Sequence, residues 1–130
     1  MPWIVELATE FEPEFQALVP DVQDEILAHA RLIEQDGPRL GRPKVDTLKG
    51  SKHANMKELR FDANGGVWRV AFAFDRRRRA MLLAAGNKRG RNESAFYKRL
   101  IADADARFDA HTAHLAPQKK GKGRKGKRRK

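Results

Sequence analysis

The chain contains no cysteine, so disulfides and thiolate metal sites are excluded. It also lacks an apolar run approaching the roughly 18 residues that a membrane-spanning helix requires, so no membrane partner is expected. The N-terminal segment MPWIVELATEFEPEF is acidic and lacks the basic start of a signal peptide, which indicates a soluble, cytoplasmic protein. With 130 residues and 40% apolar side chains, the sequence predicts one domain with a modest core.

The net charge of +11 is distributed unevenly. The first 36 residues carry nine acidic side chains and one basic, whereas residues 37–102 carry seventeen basic and five acidic. Residues 117–130 carry nine basic side chains and no acid, so residues 1–116 have a net charge of only +2. This segregation predicts a polyanionic partner for the basic middle of the chain. A solvated basic surface is the alternative.

Hydrophobic periodicity predicts a strand, two helices, a three-strand meander and a final helix. The predicted bounds are a strand at 3–7, a short helix from Phe11 to Phe15, a helix over 22–36, a loop over 39–54 and a last helix from Asn92 to about His114. We expect a small α+β domain at 1–116, with a mainly antiparallel sheet and helices packed on one face. Residues 117–130 predict a disordered basic tail.

The meander consists of NMKELRF, VWRVAFAF and AMLLAAGNK, with a hairpin signal at Asn64-Gly65. Centring the hairpin there places Arg60 opposite Arg69, on one face with Glu58. The alternation then divides the apolar and remaining residues into two sets. One face carries Leu59, Phe61, Trp68, Val70, Phe72, Met81, Leu83 and Ala85, and the other carries Ala71, Ala73, Leu82, Ala84, Gly86 and Lys88.

One face therefore presents Arg60, Arg69 and Lys88 among small residues. Like charges opposite each other destabilise a sheet, so an external anion is expected between them. We predict a shallow cationic cup for a phosphodiester. The alternative is that Glu58 and another acid neutralise the cations.

Such cations suit the cleavage of RNA by its own 2′-OH. That reaction needs a base, an acid and stabilisation of the charge that develops on phosphorus, which arginines supply. The candidates for proton transfer are Lys57, Lys88, Tyr97, Lys98 and His53. Strict alternation places Lys57 on the apolar face. The histidines show no metal-binding spacing, and no cofactor is expected.

Three segments, GPRLGRPKVDTLKGSKHANMKELRF, WRVAFAFDRRRRAMLLAAGNKRG and FYKRLIADADARFDAHTAHL, resemble the RelE/ParE superfamily of toxins, most closely its phage-derived, HigB-type branch. The resemblance covers nearly all of residues 3–115. It implies a small sheet with helices on one side and the role of a type II toxin. Such a toxin cleaves mRNA in the ribosome as a metal-independent endoribonuclease, and an antitoxin, commonly of helix-turn-helix type, inhibits it.

The resemblance implies catalytic roles for residues of KELR, WRVAF, GNK and FYKR. These residues are Arg69, Arg60, Lys88, Lys57, Lys98 and Tyr97. RNA contacts are predicted from further basic residues, namely Arg77, Arg78, Lys49, Lys52, His53, Arg89 and Arg91. Two other functions remain open: a non-nuclease toxin resembling the ParE branch, which poisons DNA gyrase, and a non-catalytic RNA-binding module. The tail either adds RNA affinity or is an incidental extension.

Overall fold

The computed structural model describes residues 2–120, with side chains up to Leu115. Its elements, in chain order, are β1 (Ile4–Leu7), α1 (Phe11–Gln16), α2 (Pro20–Asp36), a 3-10 turn (Gly37–Arg39), β2 (Val45–Thr47), β3 (Lys57–Ala63), β4 (Gly66–Phe74), β5 (Arg79–Asn87) and α3 (Glu93–Lys120). The predicted α+β class is confirmed. None of these helices combines the length and apolarity needed to cross a membrane.

Two boundaries differ from the prediction. β2 lies inside the segment predicted as a loop, where Leu40, Val45 and Leu48 are the only large aliphatic residues among polar ones. α3 continues from the predicted end at His114 to Lys120. Residues 121–130 of the predicted tail lie outside the described residues, so disorder there stays a prediction.

The five strands form one sheet in the order β1-β5-β4-β3-β2. β1 runs parallel to β5, and all other neighbours are antiparallel. Arg60 lies opposite Arg69 and Phe61 opposite Trp68, which confirms the predicted register of the first hairpin. This register was predictable because a slip of one residue would move every apolar side chain to the other face.

β5 contains a β-bulge beside Phe72 of β4. Leu83 is the extra residue. Because of it, the side chains between the preceding turn and the bulge lie on the opposite faces from those expected for an uninterrupted strand. Leu82 therefore lies opposite Phe72, and Met81 lies on the face of Arg69. The prediction had these two residues on exchanged faces because it assumed an uninterrupted alternation.

Helices cover both faces of the sheet, whereas the prediction placed them on one. α2 packs on the face of Phe61, whose ring centroid lies 5.2 Å from that of His29. α3 packs on the opposite face, where a Cβ atom at Gly86 would lie 2.7 Å from the ring of Phe96. The neighbouring residues on this face, Ala71, Ala73 and Ala84, are buried. Their small side chains let α3 lie close to the sheet.

The apolar stripes of α2 and α3 supply the helical half of the core. The buried members are Val22, Ile26, Ala30 and Ile33 on α2, and Phe96, Leu100, Ala104 and Phe108 on α3. Their spacing of three and four residues is that of one helix face. Leu27, next to this stripe on α2, is exposed.

Asp75 closes the turn between β4 and β5. Its carboxylate accepts hydrogen bonds from the N–H groups of Arg77 and Arg79 at 2.8 and 3.0 Å, and from His111 Nε2 on α3 at 2.8 Å. Burial raises the pKa of Asp75, but the hydrogen bonds from His111, Arg79 and Arg77 outweigh this effect and hold the pKa below its ordinary value. The turn is thereby fixed to α3.

Gly86→Ala tests the close approach of α3. The new methyl group meets the buried Phe96 ring, so we expect a loss of about 1–3 kcal/mol in the free energy of unfolding. Gly41→Ala is the matched control, because the closest atom to its Cβ lies 3.9 Å away. Urea unfolding measures both variants. Equal stabilities of the two variants would contradict the packing described.

Asp75→Asn tests the turn. A folded-state pKa below the unfolded value of about 3.9 stabilises the fold above that pH, and this stabilisation is lost as the pH falls through the folded pKa. We expect Asp75→Asn to cost about 2 kcal/mol at neutral pH and clearly less in acid. Asp62→Asn, at an exposed position, is the control. Unfolding at neutral and acidic pH checks this, and a cost independent of pH would refute it.

Candidate functional site

Two buried charged side chains and the half-buried Tyr97 join the sheet to α3. Arg69 Nε donates a hydrogen bond to the Tyr97 hydroxyl at 3.2 Å, and that hydroxyl donates to Glu58 Oε1 at 2.9 Å. Arg69 also donates through Nη1 to the carbonyl of Trp68 at 2.9 Å. Arg69 and Glu58 are each only 6% exposed, and Arg69 Nε lies 3.8 Å from Glu58 Oε1. Tyr97 is therefore a neutral bridge between two buried, opposite charges.

The sequence produces this arrangement locally. Alternation on β3 and β4 turns Glu58 and Arg69 to the same face. Asn92 caps α3 by accepting a hydrogen bond from the Ala95 N–H at 2.9 Å, as predicted for this residue. The cap fixes where the helix begins, so Tyr97 falls over Arg69.

Burial dominates the electrostatics of the bridge. It raises the pKa of Glu58, although the hydrogen bond from Tyr97 and the charge of Arg69 oppose the rise. Burial also raises the pKa of Tyr97; the Arg69 hydrogen bond lowers it and Glu58 raises it further. The hydroxyl thus keeps its proton at neutral pH and serves as a donor.

Arg60 occupies the β2 side of the same face. Its Nη1 lies 3.4 Å from Asp46 Oδ2, and Arg42 Nη1 lies 3.6 Å from the same oxygen. The Arg60 side chain is 30% exposed, compared with 8% for Arg69. Arg60 is therefore the more accessible of the two opposed arginines.

Lys88 and Lys98 lie beside Tyr97. Lys88 Nζ is 5.4 Å from the centroid of the Tyr97 ring and 3.6 Å from Glu93 Oε2. Lys98 follows Tyr97 on α3 and is exposed. Lys57, by contrast, pairs with Phe72 on the opposite face, as strict alternation predicted.

The structure thus brings Arg60, Arg69, Lys88 and Tyr97 to one region of the sheet. The predicted open cup is not present, because α3 covers the small residues that were expected to line it. Glu58 pairs with Arg69, and a second acid, Asp46, pairs with Arg60. This is the geometry of the alternative in which acids neutralise the cations.

Asp46 was missed because no strand was predicted around Val45. The signal was an isolated apolar residue followed by Asp46 and Thr47, too short a pattern to identify a strand. Pairing of β2 with β3 places Asp46 opposite Glu58 and within reach of Arg60.

The predicted RNA-binding residues do not form one surface. Lys49, Arg89 and Arg91 are exposed. Lys52 Nζ and His53 Nε2 contact the Asp109 carboxylate on α3, the latter at 2.8 Å. These two residues tether the loop before β3 to the middle of the helix.

Arg77 and Arg78 lie in the turn between β4 and β5. Arg69 is six residues from Asp75, the start of that turn, or about 20 Å along a strand. The Arg78 guanidinium carbon lies 4.0 Å from the centroid of the Trp3 ring. The turn is thus separate from the site around Tyr97. Within residues 2–120, no three potential ligand side chains are grouped as a metal site.

Comparisons with known proteins fit this architecture. The family model "Phage derived protein Gp49-like" matches residues 13–109. Putative toxin HigB2 of Mycobacterium tuberculosis is 45% identical over 95 residues, which are 72% of this chain and 47% of that protein. The chain therefore spans about half the length of this relative. Putative toxin HigB3 of the same organism is 42% identical over 103 residues, 79% of this chain and 88% of that protein.

A solved structure of a mutant E. coli toxin RelE in the free state superimposes with a TM-score of 0.59. The match covers 82% of this chain and 98% of the RelE chain at 11% identity, so it establishes a RelE-like fold and no more. The chain belongs to the phage-derived Gp49-like family, which confirms the predicted phage-derived, HigB-type membership, and its fold is RelE-like.

Proposed function

We propose that this protein is the toxin of a type II toxin–antitoxin system and that it cleaves mRNA on the ribosome in the cytoplasm, without a metal. The observation that carries the proposal is the opposition of Arg60 and Arg69 on one face, beside Tyr97 and Lys88. The names of the two mycobacterial relatives support the toxin role. A cognate antitoxin, of helix-turn-helix type, is the proposed inhibitor.

In this mechanism the arginines stabilise the charge that develops on phosphorus. Arg60, the more exposed, contacts the non-bridging oxygens when the phosphodiester displaces Asp46. Tyr97 holds the Arg69 guanidinium in position from α3. Lys88, which lies over the Tyr97 ring, and Lys98, which follows Tyr97 on α3, are the candidates for proton transfer, and Lys57 would act only from the far face of the sheet.

Glu58 takes the role of a positioning residue in this site. Its carboxylate accepts the Tyr97 proton in a hydrogen bond of 2.9 Å and thereby orients the hydroxyl between the two charges. The buried pair also fixes the distance between β3 and α3. Glu58 itself lies beneath Tyr97 and is not placed to touch the RNA.

One observation favours a second function. Each opposed arginine has a carboxylate partner, Glu58 for Arg69 and Asp46 for Arg60, so the network is also explained as a purely structural one. A non-nuclease toxin that poisons DNA gyrase needs no free cations at this place. Mapping of mRNA ends in cells separates the two functions.

Arg60→Ala tests the nuclease proposal. Induction of the wild type should arrest growth and produce mRNA 5′ ends in phase with codons. Arg60→Ala should reduce this cleavage about 10²–10³-fold, because a ligand of the transition-state charge is lost. Arg76→Ala, at an exposed position in the distant turn, should cleave normally. Growth arrest with intact mRNA and broken DNA would instead establish the gyrase poison.

Tyr97→Phe tests the hydrogen bonds by which Tyr97 joins Arg69 to Glu58. Tyr97→Phe keeps the ring packing against Phe96 but loses both hydrogen bonds, so single-turnover cleavage on ribosomes should slow by about 10²-fold. Circular dichroism should show a folded protein. A wild-type rate would exclude Tyr97 from the mechanism.

The pH profile separates the role of Glu58 from simple packing. The raised pKa means that Glu58 takes up a proton at a higher pH than an ordinary glutamate, and its carboxyl group then gains an O–H donor and loses the negative charge that faces Arg69. The wild-type rate should fall as the pH drops through this pKa. Glu58→Gln keeps an acceptor but cannot titrate, so its profile should be flat there. An unchanged fall in Glu58→Gln would refute this role.

A further inference from the structure

β5 has a free edge along its second half. β1 pairs with β5 only from Arg79 to Leu82, and the Ala8 N–H extends this contact to the Leu82 carbonyl. Residues 83–87 of β5 have no strand partner on this side within residues 2–120, although the Leu83 carbonyl accepts a hydrogen bond from Arg107 Nη1 at 2.8 Å. The part of this edge that is left open, residues 85–87, is roughly 10 Å long at about 3.3 Å per residue. An open edge of this kind is a template for another strand.

The backbone groups that face this edge follow from the ladder with β4. The Lys88 N–H donates to the Val67 carbonyl at 2.8 Å, which makes these two residues a hydrogen-bonded pair. Such pairs alternate with pairs that are not bonded to each other. The N–H and C=O groups of Ala85 and Asn87 therefore point away from β4, towards the free edge.

A groove runs beside this edge. It has a volume of about 730 Å³, with Ala85 and Gly86 of β5 on one side and the first turns of α3 on the other. Phe96 and Leu100 supply an apolar floor. The groove thus offers apolar contacts next to unpaired backbone groups, the two features that an added strand uses.

The charges on the rim of the groove indicate the charge of the partner that it binds. Arg91 and Arg99 are exposed and make no salt bridge with another described side chain. Glu14, at the other end, is neutralised by Arg107, with two hydrogen bonds of 2.8 and 2.6 Å. Asp103 also lies on the rim. The rim therefore has an excess of positive charge near the start of α3.

We propose that the β5-edge groove binds an extended, acidic segment of the cognate antitoxin, which adds to the sheet as a strand beside Ala85 and Asn87. The identity of the partner rests on the proposed function; the strand chemistry of the site does not. Carboxylates of the added strand pair with Arg91 and Arg99, and its small apolar side chains contact Phe96.

The groove suits a peptide better than RNA. Unpaired backbone N–H and C=O groups at strand spacing match another polypeptide. Asp103 at one end repels a continuous phosphodiester chain. The prediction that Arg91 binds RNA becomes one outcome of the experiment.

The experiment uses the full-length toxin and the antitoxin encoded beside it. Hydrogen exchange should show slowed exchange at the amides of Ala85 and Asn87 in the complex. The double variant Arg91→Glu, Arg99→Glu should weaken antitoxin binding about 10–100-fold, with a reduced salt dependence. Arg76→Glu, an exposed charge reversal in the distant turn, is the control and should bind normally.

Three results would overturn the inference. One is normal antitoxin binding by the double variant, or unprotected amides at Ala85 and Asn87. Another is a free toxin that dimerises through this edge and becomes monomeric in the double variant. The third is loss of binding to a short single-stranded RNA with antitoxin binding intact, which would make the groove an RNA surface. Failure of the proposed function looks different, since the wild type would then leave cellular mRNA intact, whether or not the double variant weakens antitoxin binding.

Discussion

The contact of α3 with the small residues of β4 and β5 determines where every functional group lies. Gly86 leaves no room for a side chain beneath Phe96, so the helix packs directly on the sheet. Tyr97, the next residue, then reaches both Arg69 and Glu58. The same contact separates this buried network from the groove at the β5 edge, because Phe96 stands between them.

The buried charges explain why the network includes a tyrosine. A buried ion pair is favourable only when its remaining donors and acceptors are satisfied. Arg69 meets this condition through the Trp68 carbonyl and the Tyr97 hydroxyl. Glu58 has Tyr97 as its donor, yet burial still raises its pKa. The site therefore holds a carboxylate whose charge is poorly stabilised next to a guanidinium that is firmly fixed.

The sequence predicted the parts of the fold that repeat a local pattern. The pairing of Arg60 with Arg69 and the cap at Asn92 followed from alternation and capping chemistry. The position of α3 did not, because small residues on a strand are equally consistent with an open surface and with a closely packed helix. The role of Asp46 could not be predicted for another reason. Its strand is only three residues long, and the strand is recognisable only through its pairing with β3.

The bulge at Leu83 divides β5 into two segments with independent side-chain registers. The segment near the turn is held by Asp75 and by β1, while the segment beyond the bulge carries Gly86 and leads to Lys88. A shift of the backbone at the turn is absorbed at the bulge, where the ladder is already interrupted. The strand therefore insulates the backbone near Lys88 from sequence variation in the arginine-rich turn.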